Sequence, residues 1–222
     1  MSTRRQFLNR MLKIVAAAGL GMAGTGGRVR MAFAEIKRKV LGKHTDLNDL
    51  VNENPARLDA ARLPVTPREK FETMGLSDHD VAVADWRLTV GGDVKSASAL
   101  TYEDLLQMPA VERSVLLICP GFFAYKGRWK GVSIRGLLEK TRIASAGATH
   151  LVVSGPAAAY EKRERFEIAE IENDKLFLAY AVNGVPLPQK HGYPLRLVAE
   201  DHYGSRWVKY VEKIDIQKVQ NR

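Results

Sequence analysis

Only one cysteine, Cys119, occurs in the 222 residues. A lone thiol makes no internal disulfide, and a self-contained iron–sulfur cluster needs several thiolates, so neither equips this chain. The C-x-x-C-H signature of covalent haem is missing too. Long apolar runs are equally scarce: the stretch from Ile14 to Gly24 is too short to span a bilayer comfortably. The body of the chain also lacks a charge imbalance. The formal net charge of +9 comes from the first 43 residues, where ten Lys/Arg face one acidic residue, Glu35; the remainder holds 24 basic and 24 acidic side chains. A nucleic-acid footprint belongs on the folded domain, so no nucleic-acid partner is expected. With 45% hydrophobic residues the length suits one substantial core.

The basic start reads Ser2-Thr3-Arg4-Arg5-Gln6-Phe7-Leu8, ahead of the short apolar run. Paired arginines before Phe-Leu resemble the twin-arginine export signal, the route of proteins already folded around a cofactor. Ala32-Phe33-Ala34 is an A-x-A-like cleavage site with basic neighbours, Arg28 and Arg30, so an uncleaved anchor and a basic membrane-surface helix stay open as alternatives. The expected organisation is a leader over 1–34, an extended polar arm over 35–65 and a folded domain over 66–216, in a periplasmic or otherwise exported protein.

Residues 113–118 alternate and then run apolar, which predicts a buried strand with Cys119 at its end. Pro120 and Gly121 break the ladder, so free backbone N–H groups are expected beside the sulfur. Further strands are expected over 86–90, 149–153 and 175–182, the last closed by a tight Asn183-Gly184 turn. Thr101 and Asp104 predict a capped short helix through Leu106, and Val132, Ile134, Leu137 and Leu138 predict a helix over 132–140. Charge alone makes 159–165 a solvated edge or loop. Taken singly, a cysteine is more often an inert core residue than a ligand.

The order of motifs changes that reading. Trp86-Arg87-Leu88-Thr89-Val90-Gly91-Gly92, Leu100-Thr101-Tyr102-Glu103-Asp104-Leu105-Leu106, Cys119 and Trp129-Lys130-Gly131-Val132 come first. Asn183-Gly184-Val185-Pro186-Leu187, His191-Gly192-Tyr193-Pro194-Leu195-Arg196 and Gly204-Ser205-Arg206-Trp207-Val208-Lys209-Tyr210 follow. This series resembles the molybdopterin domain of the sulfite oxidase family over roughly 63–216. The resemblance implies a mixed α/β (α+β) fold, rich in strands with short peripheral helices, holding Mo-molybdopterin and transferring oxygen atoms. It implies that Cys119 is the metal ligand and that Tyr160 and Arg206 join it in catalysis. Cofactor contacts are expected from Phe71, Glu72, Gly121, Ser154, Gly155, His191, Arg196, Trp207, Val208 and Lys209.

Two departures bear on substrate. Thr73-Met74-Gly75 stands where sulfite-oxidising relatives carry Arg-Asn-His, and Gly121-Phe122-Phe123-Ala124 replaces a segment bearing arginines. One arginine is a weak anion trap, whereas Tyr160, Arg206 and the Phe122-Phe123 pair suit a neutral sulfoxide. Reduction of a sulfoxide or similar oxide, small-molecule or protein-bound, is therefore expected. Sulfite oxidation and a non-catalytic cofactor-binding or electron-transfer module are the alternatives. The chain stops at Arg222 without the family's added dimerisation domain, a layout similar to that of periplasmic methionine sulfoxide reductase catalytic subunits. That layout implies a monomer served by an external electron carrier, a membrane haem protein or cytochrome.

Overall fold

The computed structural model describes residues 37–143, 147–157 and 162–218. The leader, 1–34, lies outside the described residues. The arm contributes a two-residue strand, β1 (Lys39–Val40), paired in parallel with β2 (Leu58–Asp59). Between them are two 3-10 turns, Leu47–Leu50 capped by the Asp46 side chain and Pro55–Arg57 capped by the Asn54 side chain.

Two five-stranded sheets follow. The first is built from β3 (Leu88–Gly92), β4 (Ser98–Leu100), β7 (Ala148–Ser154), β8 (Arg163–Glu167) and β12 (Lys213–Lys218), in the order β4-β3-β12-β7-β8. Its β3/β12 pair is parallel and its other pairs antiparallel. The second contains β5 (Ala110–Cys119), β6 (Phe123–Ser133), β9 (Leu176–Val182), β10 (Val185–Pro186) and β11 (Arg196–Ala199), all antiparallel. Strands β10 and β11 pair along β9, on whose other edge β6 lies. Among the described residues the α-helices are two and short, α1 (Tyr102–Leu106) and α2 (Ile134–Lys140). The fold is thus mixed, strand-rich and short of helix, as the motif order implies. No helix among the described residues is long and apolar enough to cross a membrane.

Local chemistry explains these boundaries. Thr101 and Asp104 form a reciprocal capping box at the start of α1. Helix α2 begins later than the apolar spacing predicts. Val132 is still in β6, opposite Leu178, and Ser133 caps the helix by accepting from Gly136 N at 3.2 Å. Asn183 (φ 52°) and Gly184 (φ 83°) make the expected tight turn between β9 and β10. The charged stretch after 161 is an edge strand, β8, against β7. Strand β6, which the sequence reading omits, crosses β9 at a bulge where Gly131 admits close approach: a Cβ there would lie 1.8 Å from the Leu178 carbonyl oxygen.

Strand β5 is buried on both faces. Val115 and Leu117 enter the main core, while Leu116 and Ile118 pack against arm residues Leu41, Leu50, Leu58 and Leu63. That two-sided burial is why its C-terminal half reads as an unbroken apolar run. A buried lysine fastens the arm. Lys126, 4% exposed, donates through Nζ to the carbonyls of Ala60 (2.7 Å), Ala61 (3.1 Å) and Leu63 (2.9 Å). Its backbone exchanges hydrogen bonds with Thr66, whose carbonyl also accepts from Asn183 Nδ2.

Lys126→Met keeps the aliphatic stem and leaves three carbonyls without their donor, an expected loss of about 2 kcal/mol. A lowered urea midpoint with faster proteolytic cutting within 37–65 is the expected result. An unchanged midpoint and cutting pattern would show that apolar packing alone holds the arm.

Candidate functional site

The β5–β6 hairpin sets the position of the thiol. Cys119 is the last residue of β5 and pairs with Phe123 across the hairpin. Pro120 and Gly121 (φ +77°) suit the central positions of a type II turn, closed by Phe122 N donating to Cys119 O at 3.0 Å. This corrects the expectation of free N–H groups beside the sulfur. Proline has none, the Phe122 group closes the turn, and Gly121 N donates to Val51 O at 3.0 Å in the arm. Gly121 therefore serves the turn, with open space around its Cα.

Cys119 opens into a cavity of about 340 Å³. Its apolar walls include Leu117 and Phe123 from the hairpin and Met74 and Leu76 from the preceding loop, while Arg196, Lys209 and Lys162 bring positive charge. Glu72 is the one carboxylate among the described lining residues. The Cys119 Sγ lies 3.4 Å from the Met74 thioether sulfur. Burial, with a smaller contribution from Glu72, pushes the thiol above its ordinary pKa, so the free thiol is not an activated nucleophile at neutral pH. No group of three or more His, Cys, Asp or Glu side chains among the described residues is arranged to hold a metal. Protein ligands alone therefore make no metal site there; a metal would have to arrive with other ligands.

Arg196 is the electrostatic centre. It is buried in β11, with its guanidinium carbon 5.3 Å from the rings of both Trp129 and Trp207. Nη1 donates to His191 O at 3.1 Å, but Nε has no partner. Burial lowers its pKa. His191 is fully buried and neither ring nitrogen has a partner. Burial first, then Arg196, Lys190 and Lys209, push its pKa down to about 3, so the imidazole is neutral at physiological pH. Lys209 donates to Thr73 Oγ1 (2.9 Å) and Lys190 O (3.2 Å). Burial and Arg196 lower it to about 8, so a bound anion would favour its charged form. Orphaned buried donors beside two uncompensated cations are costly unless an anion satisfies them.

The other expected residues divide into two groups. Glu72 and Trp207 line the cavity with Cys119, Arg196 and Lys209. Phe71 lies beneath, stacked on Tyr125 at 4.1 Å and edge-on to His191 at 5.8 Å. Val208, Ser154, Gly155, Gly121 and His191 are not among the described lining residues, His191 being buried against Phe71 and Tyr125. Val208 is core, and its carbonyl accepts from Leu197 N at 2.8 Å. Ser154 ends β7, its buried Oγ unpartnered. Gly155 permits close passage of the Lys209 backbone, whose carbonyl oxygen would be 3.0 Å from a Cβ. Arg206 points along β8, its Nε 2.8 Å from Glu164 Oε2 and its guanidinium 4.5 Å over Phe166. Phe122 is 63% exposed and faces away, whereas Phe123 is buried. Tyr160 lies outside the described residues.

Sequence reasoning missed Thr73, Met74, Leu76, Tyr125 and Lys162 as lining residues. A signal existed for Tyr125. Phe123, Tyr125 and Trp129 recur at even spacing along β6 and are all buried, which places them on one strand face. Nothing local marks Met74, because its place depends on the loop path from the arm.

Comparison with known proteins bears on the family and the fold. The family model described as the oxidoreductase molybdopterin binding domain matches residues 75–222. The nitrate reductase [NADH] of Lotus japonicus is 28% identical over 159 residues, covering 59% of this chain and 18% of the relative. The nitrate reductase [NAD(P)H] of Hordeum vulgare is 29% identical over 157 residues, 58% of this chain and again 18% of the relative. The chain thus spans under a fifth of the length of these curated relatives. The sulfane dehydrogenase SoxCD from Paracoccus pantotrophus has the same fold, with a TM-score of 0.63 at 23% identity over 89% of this chain and 57% of that one. This chain belongs to the oxidoreductase molybdopterin-binding domain family, molybdenum-dependent oxidoreductases whose cofactor is Mo-molybdopterin.

Proposed function

We propose that the cavity at Cys119 carries out oxygen-atom transfer, reducing an uncharged sulfoxide or similar oxide with electrons from an external carrier. One observation carries the reading: the chain's single thiol ends a buried strand and opens into a cavity lined both by apolar side chains and by Arg196 and Lys209, cations without a carboxylate partner among the described residues. The net change is R₂SO + 2 H⁺ + 2 e⁻ → R₂S + H₂O, with protons drawn from solvent.

The residues present suit the family's cofactor. A pterin with a phosphate needs buried donors and positive charge, and Arg196 Nε and Lys209 Nζ provide them. Cys119 as thiolate supplies the one soft protein ligand, since ligation to a metal deprotonates a thiol. When bound, the cofactor supplies the oxygen-atom transfer and the two-electron redox change. Arg196 and Lys209 would bind its anionic groups, and buried neutral His191 holds Arg196 through its carbonyl without adding charge. Leu117, Phe123, Met74 and Leu76 exclude water and receive apolar substituents of the substrate.

The names of the curated relatives specify reduction, and an NADH or NAD(P)H donor, for those proteins. For this chain the donor is proposed as an external carrier, a membrane haem protein or cytochrome. Export through the Arg4-Arg5 signal is part of the same proposal, because it suits a protein loaded with cofactor before translocation. Arg4→Lys with Arg5→Lys is expected to hold the protein in the cytoplasm on cell fractionation; undiminished export would remove the twin-arginine reading.

Steady-state assays test the substrate class. With reduced viologen and a panel of sulfoxides, kcat/KM is expected to exceed that for sulfite with an oxidised acceptor by at least about tenfold. Efficient sulfite turnover without sulfoxide reduction would reverse the assignment. No turnover of either by cofactor-loaded protein would favour a non-catalytic module.

A further inference from the structure

We propose that Glu164 is the charge selector of this cavity, neutralising the cations on its β8 side so that uncharged substrates are favoured over oxyanions. The inference rests on the cavity being the substrate site proposed above. It deepens that reading by naming the residue that sets substrate charge.

The cations around the cavity fall into two sets. Arg196 and Lys209 have no carboxylate partner among the described residues; their neighbours are carbonyls, a hydroxyl and aromatic faces. Lys162 and Arg206 share one carboxylate. Glu164 Oε1 accepts from Lys162 Nζ at 2.9 Å, and Oε2 lies 2.8 Å from Arg206 Nε, an ion pair whose N–H is off the line of a hydrogen bond. Lys162 lines the cavity, as do Gly204 and Ser205 immediately before Arg206. Arg206 is held further by donation from Nη2 to the Arg165 carbonyl and by the Phe166 ring beneath its guanidinium.

Lys162 immediately precedes β8, and Glu164, the second residue of the strand, meets it across Arg163. The Glu164 side chain is 19% exposed, so its charge is only partly screened by water. Glu164 stands behind the wall rather than in it, so an oxyanion that seeks Lys162 in the cavity lining, or Arg206 beyond it, must compete with the Glu164 carboxylate for the cation. A neutral sulfoxide bears no such penalty, and a hydrogen bond to its oxygen requires only one donor. The selectivity therefore comes from a repulsive element as well as from apolar walls. Arg206, which the family resemblance implies in catalysis, is thus engaged by Glu164.

Sulfate, a dianion that is not reduced, is the probe. Calorimetric titration of cofactor-loaded protein is expected to show sulfate binding at least about tenfold tighter in Glu164→Gln than in wild type. The double variant Glu164→Gln/Arg206→Met is expected to lose that gain. Glu164→Asp keeps the charge but is one methylene short of spanning both cations, and an intermediate gain is expected; it serves if the glutamine variant does not fold. Sulfate affinity unchanged in both single variants, or a gain that survives Arg206→Met, would overturn the selector. Because the titration needs no turnover, absence of sulfoxide reduction bears on the substrate reading alone.

Discussion

Burial of β5 on both faces is the constraint on which the site depends. One face closes the main core through Val115 and Leu117, and the other is covered by the arm through Leu116 and Ile118. A one-residue slip would turn Val115 and Leu117 to the arm and Leu116 and Ile118 to the core, each set against a surface packed for the other. Its last residue therefore has a fixed address. The Pro120-Gly121 turn then ends the strand without extending it, and Gly121 N ties the turn to Val51 in the arm. The arm is thus part of the scaffold that holds Cys119 in place.

The second determinant is an unequal distribution of countercharge. Arg196 is clasped by Trp129 and Trp207 and leaves Nε unpaired, while burial and cationic neighbours keep His191 neutral. Such a site is poorly solvated when empty of anion, and a polyanionic ligand removes the penalty. Along β8 the cations are already paired through Glu164. The proposed function uses both features, with the unpaired cations for the cofactor's anionic groups and the Glu164-paired ones withheld from the substrate. Aromatic packing supports both halves: Phe123, Tyr125 and Phe71 stack in sequence toward His191.

How much of this was legible in the sequence varies with the range of the interaction responsible. Local signals read well. The capping box of Thr101 and Asp104, the Asn183-Gly184 turn and the apolar end of β5 are each specified by neighbours a few residues apart. Helix α2 was misplaced at its start because Val132, although at helical spacing, is claimed by pairing to Leu178. Strand β6 escaped because glycines at 127 and 131 dilute its apolar face, and those glycines are needed for contacts with Trp129 and Leu178 that no local window contains. At the site, Cys119, Arg196, Trp207 and Lys209 come together as the motif order implies. Phe122 and Arg206 do not, since a turn tip and a carboxylate on another strand decide where they point. Met74 was invisible for the same reason: a loop with no periodicity is placed by what surrounds it.

Ligation of the metal by Cys119 is the central claim, and X-ray absorption at the molybdenum edge tests it most directly. Cofactor-loaded wild type is expected to show one more sulfur neighbour around the metal than Cys119→Ser, with the pterin still present in the variant through Arg196 and Lys209. Identical sulfur shells in the two proteins would contradict the account and return Cys119 to the role of a packing residue.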